Sequence, residues 1–579
     1  APIVMDIMAV LDGHPQFTTE LAKFNLEANS NPLLYGGKCL SVLEKELNGL
    51  YRTAVGAAKK CNAKIALTGI LPTITKDDLG LDNMTPKPRY YALNQAMARL
   101  RGGDFQTIIK GVDELQTTHD NVMLEACNTS FQLHFQVDDG EFAKLYNIAQ
   151  AVTAPVLAAA VNSPVLLGHR LWRETRIALF QQSVDARSSA HTNRGGRPRV
   201  HFGDRWVRDG VIELFREDIA RFRVVLATDS GDPPLEMLRR GEIPKLAALC
   251  LHNGTVYRWN RPCYGITDGK PHLRIENRVL PAGPTILDEM ANAAFFFGLM
   301  SGMLEEYGPI DKVMDFDDAK GNFVASARRG LAAEFNWING ETIAARDLIA
   351  TRLLPLAREG LRTSGIDEHD IKRYLGVIEA RVAGGRTGSD WALQSLANMT
   401  REGGNQDERL RTLTAGTISR QRKGQPVHTW ALASLAESGD WQSSFRTVGQ
   451  LMDTDLFTVR EQDIVDLAAT LMEWEYIRYI LVEDDSGQLV GLVSYAQLLK
   501  FVSRRFDKGA SPVTVGDIML RNPATATPAT TTYDAIALMR ESGLGCLPVV
   551  ADGKLVGIVT ERHFMDVAQR LMDRGAKGG

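Results

Sequence analysis

Arg274-Ile275-Glu276-Asn277-Arg278-Val279 decides how the larger part of this 579-residue chain is read. A strand sends every second side chain to one face, so Arg274, Glu276 and Arg278 line up together. Two earlier stretches alternate in the same way. Phe24-Asn25-Leu26-Glu27-Ala28-Asn29 puts Asn25, Glu27 and Asn29 on one face, and Ser130-Phe131-Gln132-Leu133-His134-Phe135-Gln136-Val137 puts Ser130, Gln132, His134 and Gln136 there. One such strand describes any antiparallel sheet with a wet side. Three of them, carrying carboxylate, imidazole and guanidinium groups, predict a sheet whose concave face is a polar site.

Downstream, Gly283-Pro284-Thr285 and an apolar run from Asp288 to Met300 read as a turn and a helix. From about Thr285 to Asn398 the pattern is mostly helical, as in Thr342 to Leu361 and Ile371 to Val382. Upstream, short strands mix with helices such as Leu40 to Lys60. The expected class is α+β, an antiparallel sheet with helices followed by a helical region.

At ~150 residues per domain the chain holds about four units. Hydrophobic residues make up 44% and charged residues 23%, as in globular chains. Lys+Arg 66 against Asp+Glu 70 leaves a net charge of -4, which gives no reason to expect nucleic acid or an anionic membrane as partner. Six cysteines without a C-x-x-C, and eleven histidines without H-E-x-x-H, show no zinc or redox motif and point to a reducing, cytoplasmic setting. The apolar stretch Ala151 to Gly168 is broken by Pro155, Asn162 and Pro164, so it reads as buried core rather than a membrane span.

The C-terminal part contains a repeat. Thr447-Val448-Gly449-Gln450-Leu451-Met452 returns as Thr514-Val515-Gly516-Asp517-Ile518-Met519, and Leu489-Val490-Gly491-Leu492-Val493-Ser494 returns as Leu555-Val556-Gly557-Ile558-Val559-Thr560. Each copy reads as an extended lead-in, a helix, two apolar strands around a Gly turn, and a second helix. Arg504 to Pro512 joins the copies. The boundaries drawn are 1–400 for the first body, 401–446 for a linker, and 447–505 and 513–573 for the two copies.

Carboxylates suit Mg²⁺ or Mn²⁺, which leave much of their coordination to ATP phosphates, and arginines offer a fixed fork of donors to phosphate. An Arg-x-Glu-x-Arg strand therefore sets a metal ligand between two phosphate-neutralising groups. No G-x-x-x-x-G-K-[ST] occurs, so this is not a P-loop protein. Arg274-Ile275-Glu276-Asn277-Arg278 with Gly283-Pro284-Thr285 resembles the glutamate–cysteine ligase and glutamine synthetase superfamily. Phe24-Asn25-Leu26-Glu27, Pro88-Arg89-Tyr90, Gln132-Leu133-His134-Phe135-Gln136, Asn162-Ser163-Pro164 and Trp259-Asn260-Arg261-Pro262 resemble the bacterial and plant-type glutamate–cysteine ligases, in a consistent order over roughly 1–398.

That resemblance implies a glutamine-synthetase-like sheet and an ATP-dependent carboxylate–amine ligase. It would work through an acyl-phosphate, on the γ-carboxylate of glutamate. It makes Glu27 and Glu276 metal ligands, with His134 beside metal and phosphates. Arg278 would face the transferring phosphoryl group, and Arg261 and Arg176 would contact substrate or phosphate. Arg274, Gln132, Arg89 and Trp259 join them as substrate or ATP contacts. The family opens on a Glu-x-Glu strand, whereas this chain starts at Ala1-Pro2-Ile3-Val4, so a processed or truncated start is expected. Gln132 stands where relatives often carry a histidine.

The repeat resembles a tandem pair of cystathionine β-synthase (CBS) domains, which implies an adenosine nucleotide in the cleft, contacted by Ser494, Gln497, Thr560 and His563. Family binders often carry an Asp three residues after the Ser/Thr, and Gln497 and His563 stand there instead. A purely structural dimerisation module, joining a homo-oligomer, is the other reading. For the whole chain the alternative function is a catalytically degenerate adenylate sensor or scaffold. Arg194-Gly195-Gly196-Arg197-Pro198-Arg199 reads as a basic surface loop. Gly384-Gly385-Arg386-Thr387-Gly388 reads as a helix end and turn.

Overall fold

The computed structural model describes residues 2–187, 195–227, 231–439, 441–505 and 513–577. Arg194 of the basic loop and residues 506–512 between the repeat copies lie outside the described residues. The chain divides into two units, Ala1–Met399 with Leu410–Ser434 and Thr400–Arg409 with Leu435–Gly579. The stretch 401–446 contains the helix Gln406–Gln421 and contributes to both units.

The first unit is α+β. Its centre is the helix Phe142–Ala160, apolar on nearly every side and buried along almost its whole length, as a helix without a polar face must be. This is where the apolar stretch beginning at Ala151 goes. The helix Ile286–Tyr307 packs against Leu354–Thr363 at glycines. A Cβ on Gly298 would come within 2.5 Å of the Ala357 carbonyl oxygen, and one on Gly360 would overlap the Gly298 carbonyl, so only glycine allows this approach. The predicted helix Thr342 to Leu361 starts late. Thr342–Ala344 is a strand paired with Glu334–Asn336, and the helix begins at Ala345.

The site sheet has three antiparallel strands in the order Asn260–Thr267, Lys270–Asn277, Leu133–Val137. The first two form a hairpin through Asp268-Gly269, both at positive φ (49° and 71°), the turn whose twist suits paired strands. One face is tied to the core by amides. Asn277 Nδ2 donates to Asn260 Oδ1 at 2.8 Å, and Asn260 Nδ2 donates to Gln150 Oε1 (2.6 Å) and Thr153 Oγ1 (3.0 Å) on the central helix. That network explains a polar Asn277 on the buried side. The strand of Glu27, Leu26–Ala28, does not belong to this sheet. It pairs with Phe17–Thr19, because the alternation fixes a wet face but not a neighbour.

In the second unit each repeat copy completes the other. Leu520–Arg521, from the second copy's lead-in, pairs with Leu489–Ser494 of the first, and Asp453 bridges Ile558 of the second. The repeated motifs meet in the same way. A Cβ on Gly491 would lie 2.6 Å from Met519 Sδ, and one on Gly557 would lie 2.6 Å from Met452 Sδ. The Met of one copy thus rests where the other copy's glycine leaves room. The lead-ins, expected as extended, are short helical turns at Val448–Gln450 and Val515–Ile518. Capping boxes from Thr447 with Gln450 and Thr514 with Asp517 close them.

Candidate functional site

Residues directly opposite on neighbouring strands share a face. Register therefore sets Arg261, Glu276 and His134 in one row across the sheet and Cys263, Arg274 and Gln136 in the next. Glu276 is fully buried and saturated. Arg261 Nε donates to its Oε2 at 2.7 Å and Nη2 to its Oε1 at 3.1 Å, the Cys263 thiol lies 3.1 Å from Oε2, and Arg278 Nε is 3.3 Å from Oε1. Burial alone would raise its pKa, but the charges of Arg278, Arg261 and His134 with the Cys263 hydrogen bond hold it at about 2. Burial and Glu276 push the Cys263 thiol up to about 12. His134 is lowered, by desolvation first and then by the arginines, against the pull of Glu276.

Arg278 follows the strand, its backbone N–H bonded to the Trp259 carbonyl at 3.0 Å. Its guanidinium lies 5.8 Å from the ring centres of both Phe180 and Tyr257, and its Nε and Nη1 make no hydrogen bond. A buried guanidinium with unspent donors is built to receive an oxyanion. Glu125, in the turn Val122–Cys127, faces this charge. Burial raises its carboxyl to about 7 while Arg278 opposes the rise.

The chain just before the strand of Glu27 is tied down where Asn25 Nδ2 donates to the Ala126 carbonyl at 2.6 Å. The neighbour of Glu27 is Glu20, seven residues earlier across the strand pair. Desolvation, a shared hydrogen bond with Glu27, and the charges of Glu27 and Glu125 push Glu20 up to about 8, although part of the residue stays open to solvent. Arg89 and Tyr90 flank the pair. Arg89 Nη2 bonds the Tyr90 hydroxyl at 2.8 Å, and desolvation, then the charges of Glu20 and Glu27, raise that phenol against the pull of Arg89. Two neighbouring carboxylates that raise the pKa of one of them form a natural seat for a cation. Among the described residues no three His, Cys, Asp and Glu side chains stand together as a ready metal cage, so phosphate oxygens would have to complete such a site.

Two expected contacts lie elsewhere. Arg176 is not on the open face; its Nη1 is committed to Glu174 Oε1 and the Val279 carbonyl, both at 3.0 Å, because this buried ion pair anchors the chain just after Arg278. Trp259 alternates to the core side, packing edge-on against Phe180 at 5.7 Å and tilted against Phe323 at 5.6 Å. Arg274 stays on the site face, its Nη1 3.2 Å from His272 Nδ1, and Gln132 is exposed, its Nε2 3.4 Å from Ser130 Oγ. The sequence reading missed Glu20, Glu125, Tyr257 and Cys263. Only the spacing of Glu20 to Glu27 and the alternation that puts Cys263 level with Arg261 could have drawn attention to any of them.

In the repeat, Ser494 N and Oγ both donate to Gln497 Oε1 (2.6 and 2.5 Å). Thr560 N donates to His563 Nδ1 at 2.9 Å, leaving His563 Nε2 3.2 Å from Asp453 Oδ2. Gln497 and His563 therefore cap the helices that follow the paired strands, doing locally what an Asp would do. Asp453, from the first copy, brings the cleft a carboxylate that the motif comparison did not expect. His563 and the hydrogen bond it offers hold Asp453 below the usual carboxylate range.

Among the described residues no helix is long and apolar enough to cross a membrane. A CBS domain-containing protein of Dictyostelium discoideum is 27% identical over 135 residues, 22% of this chain and 93% of its own length. An uncharacterised protein of Methanocaldococcus jannaschii is 25% identical over 118 residues, 20% of this chain and only 41% of that protein. The crystal structure of CBSX2 in complex with AMP is 33% identical, with a TM-score of 0.20, covering 22% of this chain and 98% of that one. The CBS domain model matches residues 448–504 and 515–570, so the repeat is a CBS pair. The model of glutamate-cysteine ligase family 2 matches residues 3–416, well over half of the sequence, and the chain belongs to that family.

Proposed function

We propose that the first unit is an ATP-dependent carboxylate–amine ligase, acting on the γ-carboxylate of glutamate, with the CBS pair as its regulatory module. The observation that carries this reading is Arg278, a guanidinium whose Nη1 has no hydrogen-bond partner, beside Glu276 in the row that Glu276 forms with Arg261 and His134. In the first step a carboxylate oxygen bonds the γ-phosphorus of ATP as the bond to ADP breaks. In the second an amine nitrogen bonds the acyl carbon, phosphate leaves with the C–O electron pair, and the amine releases a proton. Such chemistry needs positioning and charge neutralisation more than covalent help.

Arg278 and Arg261 meet the phosphoryl oxygens, and Glu276, ionised down to about pH 2, keeps both guanidiniums in place. Arg274, His134 and Gln132 line the same face, and Arg89 edges the carboxylate pair. Mg²⁺ or Mn²⁺ fits Glu27 together with Glu20, and a metal bound there would neutralise phosphate charge. Glu276 could serve as a further ligand only by releasing an oxygen from Arg261. An assay of phosphate release from ATP, with glutamate and a panel of amines, tests the reading on the full chain. ATP binding without turnover for any pair of substrates would favour the degenerate sensor or scaffold instead.

For the CBS pair, AMP, ADP or ATP is the ligand, held at Ser494, Thr560, Gln497 and His563. Because the two caps already use Gln497 and His563, affinity should be weak. A nucleotide alters the ligase only if it prefers one state of the protein. Calorimetry with each nucleotide on the full chain, before and after Asp453→Ala, reports the cleft directly. Trp474, Tyr476, Leu499 and Met565 expose large apolar surfaces on this unit, which supports self-association, read by its oligomeric state.

A further inference from the structure

The geometry points to Cys263 as a positioning residue that acts through Glu276 on Arg261 and Arg278, an inference that rests on the ligase reading of this face. Cys263 is buried in the strand Asn260–Thr267, level with Arg274 on the middle strand. Its thiol donates to Glu276 Oε2 across 3.1 Å, the same oxygen that Arg261 Nε holds at 2.7 Å. The other oxygen, Oε1, takes Arg261 Nη2 at 3.1 Å and has Arg278 Nε at 3.3 Å. Three side chains therefore surround one carboxylate through four contacts, and Cys263 alone among them is neutral.

That difference defines what the thiol does. The guanidiniums must be able to lean toward a phosphate when one arrives, so they cannot also be what fixes the carboxylate. A carboxylate's last torsion is broad and nearly two-fold, and without a further donor it would follow whichever arginine moved. A short neutral side chain on the neighbouring strand cannot follow a phosphate. It pins Oε2 while Arg261 and Arg278 adjust, and keeps both arginines aimed at one place. Serine could donate the same bond, whereas alanine could not. An S–H bond to a charged acceptor is a weak member of its class, which sets the expected effect at about three- to fivefold.

The test uses the full chain and the four proteins of a double-mutant cycle: wild type, Cys263→Ala, Glu276→Gln and the double variant, with Cys263→Ser as the rescue. Steady-state kinetics and calorimetry with MgATP should show KM and Kd for ATP about three- to fivefold higher in Cys263→Ala, with kcat within about twofold. Cys263→Ser should return to the wild-type values. In the Glu276→Gln background, where turnover is lost and calorimetry alone reads the effect, adding Cys263→Ala should leave the Kd for MgATP unchanged, since the thiol acts through that carboxylate. Equal loss in the Ser and Ala variants, or full additivity of the two changes, would overturn the proposal in favour of simple packing. If wild type binds no MgATP, the ligase reading falls. The same cycle read by denaturant unfolding then decides on Cys263, with zero coupling to Glu276 counting against it.

Discussion

Replacing Glu276 by Gln tests the centre of the site in stability as well as in chemistry. The variant keeps size and one acceptor but removes the charge that two guanidiniums share, Arg261 through two hydrogen bonds and Arg278 at 3.3 Å. A buried carboxylate moved from 4.5 to about 2 contributes about 3 kcal/mol at neutral pH. Breaking a buried ion pair costs about 3–5 kcal/mol, so the two routes agree. The folded-state pKa is depressed, so this stability is complete above the unfolded value near 4.5 and is lost as pH falls toward about 2. Urea unfolding of wild type and variant across pH reads the difference. It should be about 3 kcal/mol at pH 7, about half that near pH 3, and vanish below about pH 2. Phosphate release should be lost at every pH. A stability difference that ignores pH, or unchanged turnover in the variant, would remove Glu276 from the charged centre.

Glu20→Gln should abolish metal-dependent phosphate release, read by phosphate assay, yet raise thermal stability in metal-free buffer, most clearly around pH 8, where wild type ionises Glu20 against its burial and the neighbouring charge; calorimetric scans with and without Mg²⁺ check the stability. Glu289 is buried, its Oε1 accepting the Gly283 N–H at 2.6 Å, and desolvation raises it to about 8. A raised carboxyl costs stability progressively as pH climbs from about 4.5 to about 8, so Glu289→Gln should flatten that decline in thermal scans. Gly557→Ala should destabilise the CBS unit by about 1–3 kcal/mol, since the new methyl would meet Met452 Sδ and the Asp453 carbonyl, and Met452→Ala should recover part of the loss in the same unfolding experiment.

Sequence by itself determined the class, the repeat and which side chains of a strand share a face. Alternation is a local property of the chain, and a strand with Arg274, Glu276 and Arg278 on one side needs no partner to be recognised. The paired motifs at 447–452 and 514–519 were legible for the same reason, as was the buried stretch after Ala151, whose apolar character has no polar face to turn outward. Tertiary structure alone decided which alternating strands are neighbours. It put His134 beside Glu276 and moved Glu27 to another sheet, because register depends on partners that no single segment encodes. It also decided which charges are spent. Arg176 and Arg278 look alike in sequence, yet Arg176 gives its Nη1 to Glu174 and the Val279 carbonyl, whereas Arg278 lies against Glu276 and keeps its Nη1 without a partner. Whether a guanidinium is structural or available depends on how its neighbours fill its hydrogen bonds, and in this chain those neighbours come from remote segments brought together only by folding.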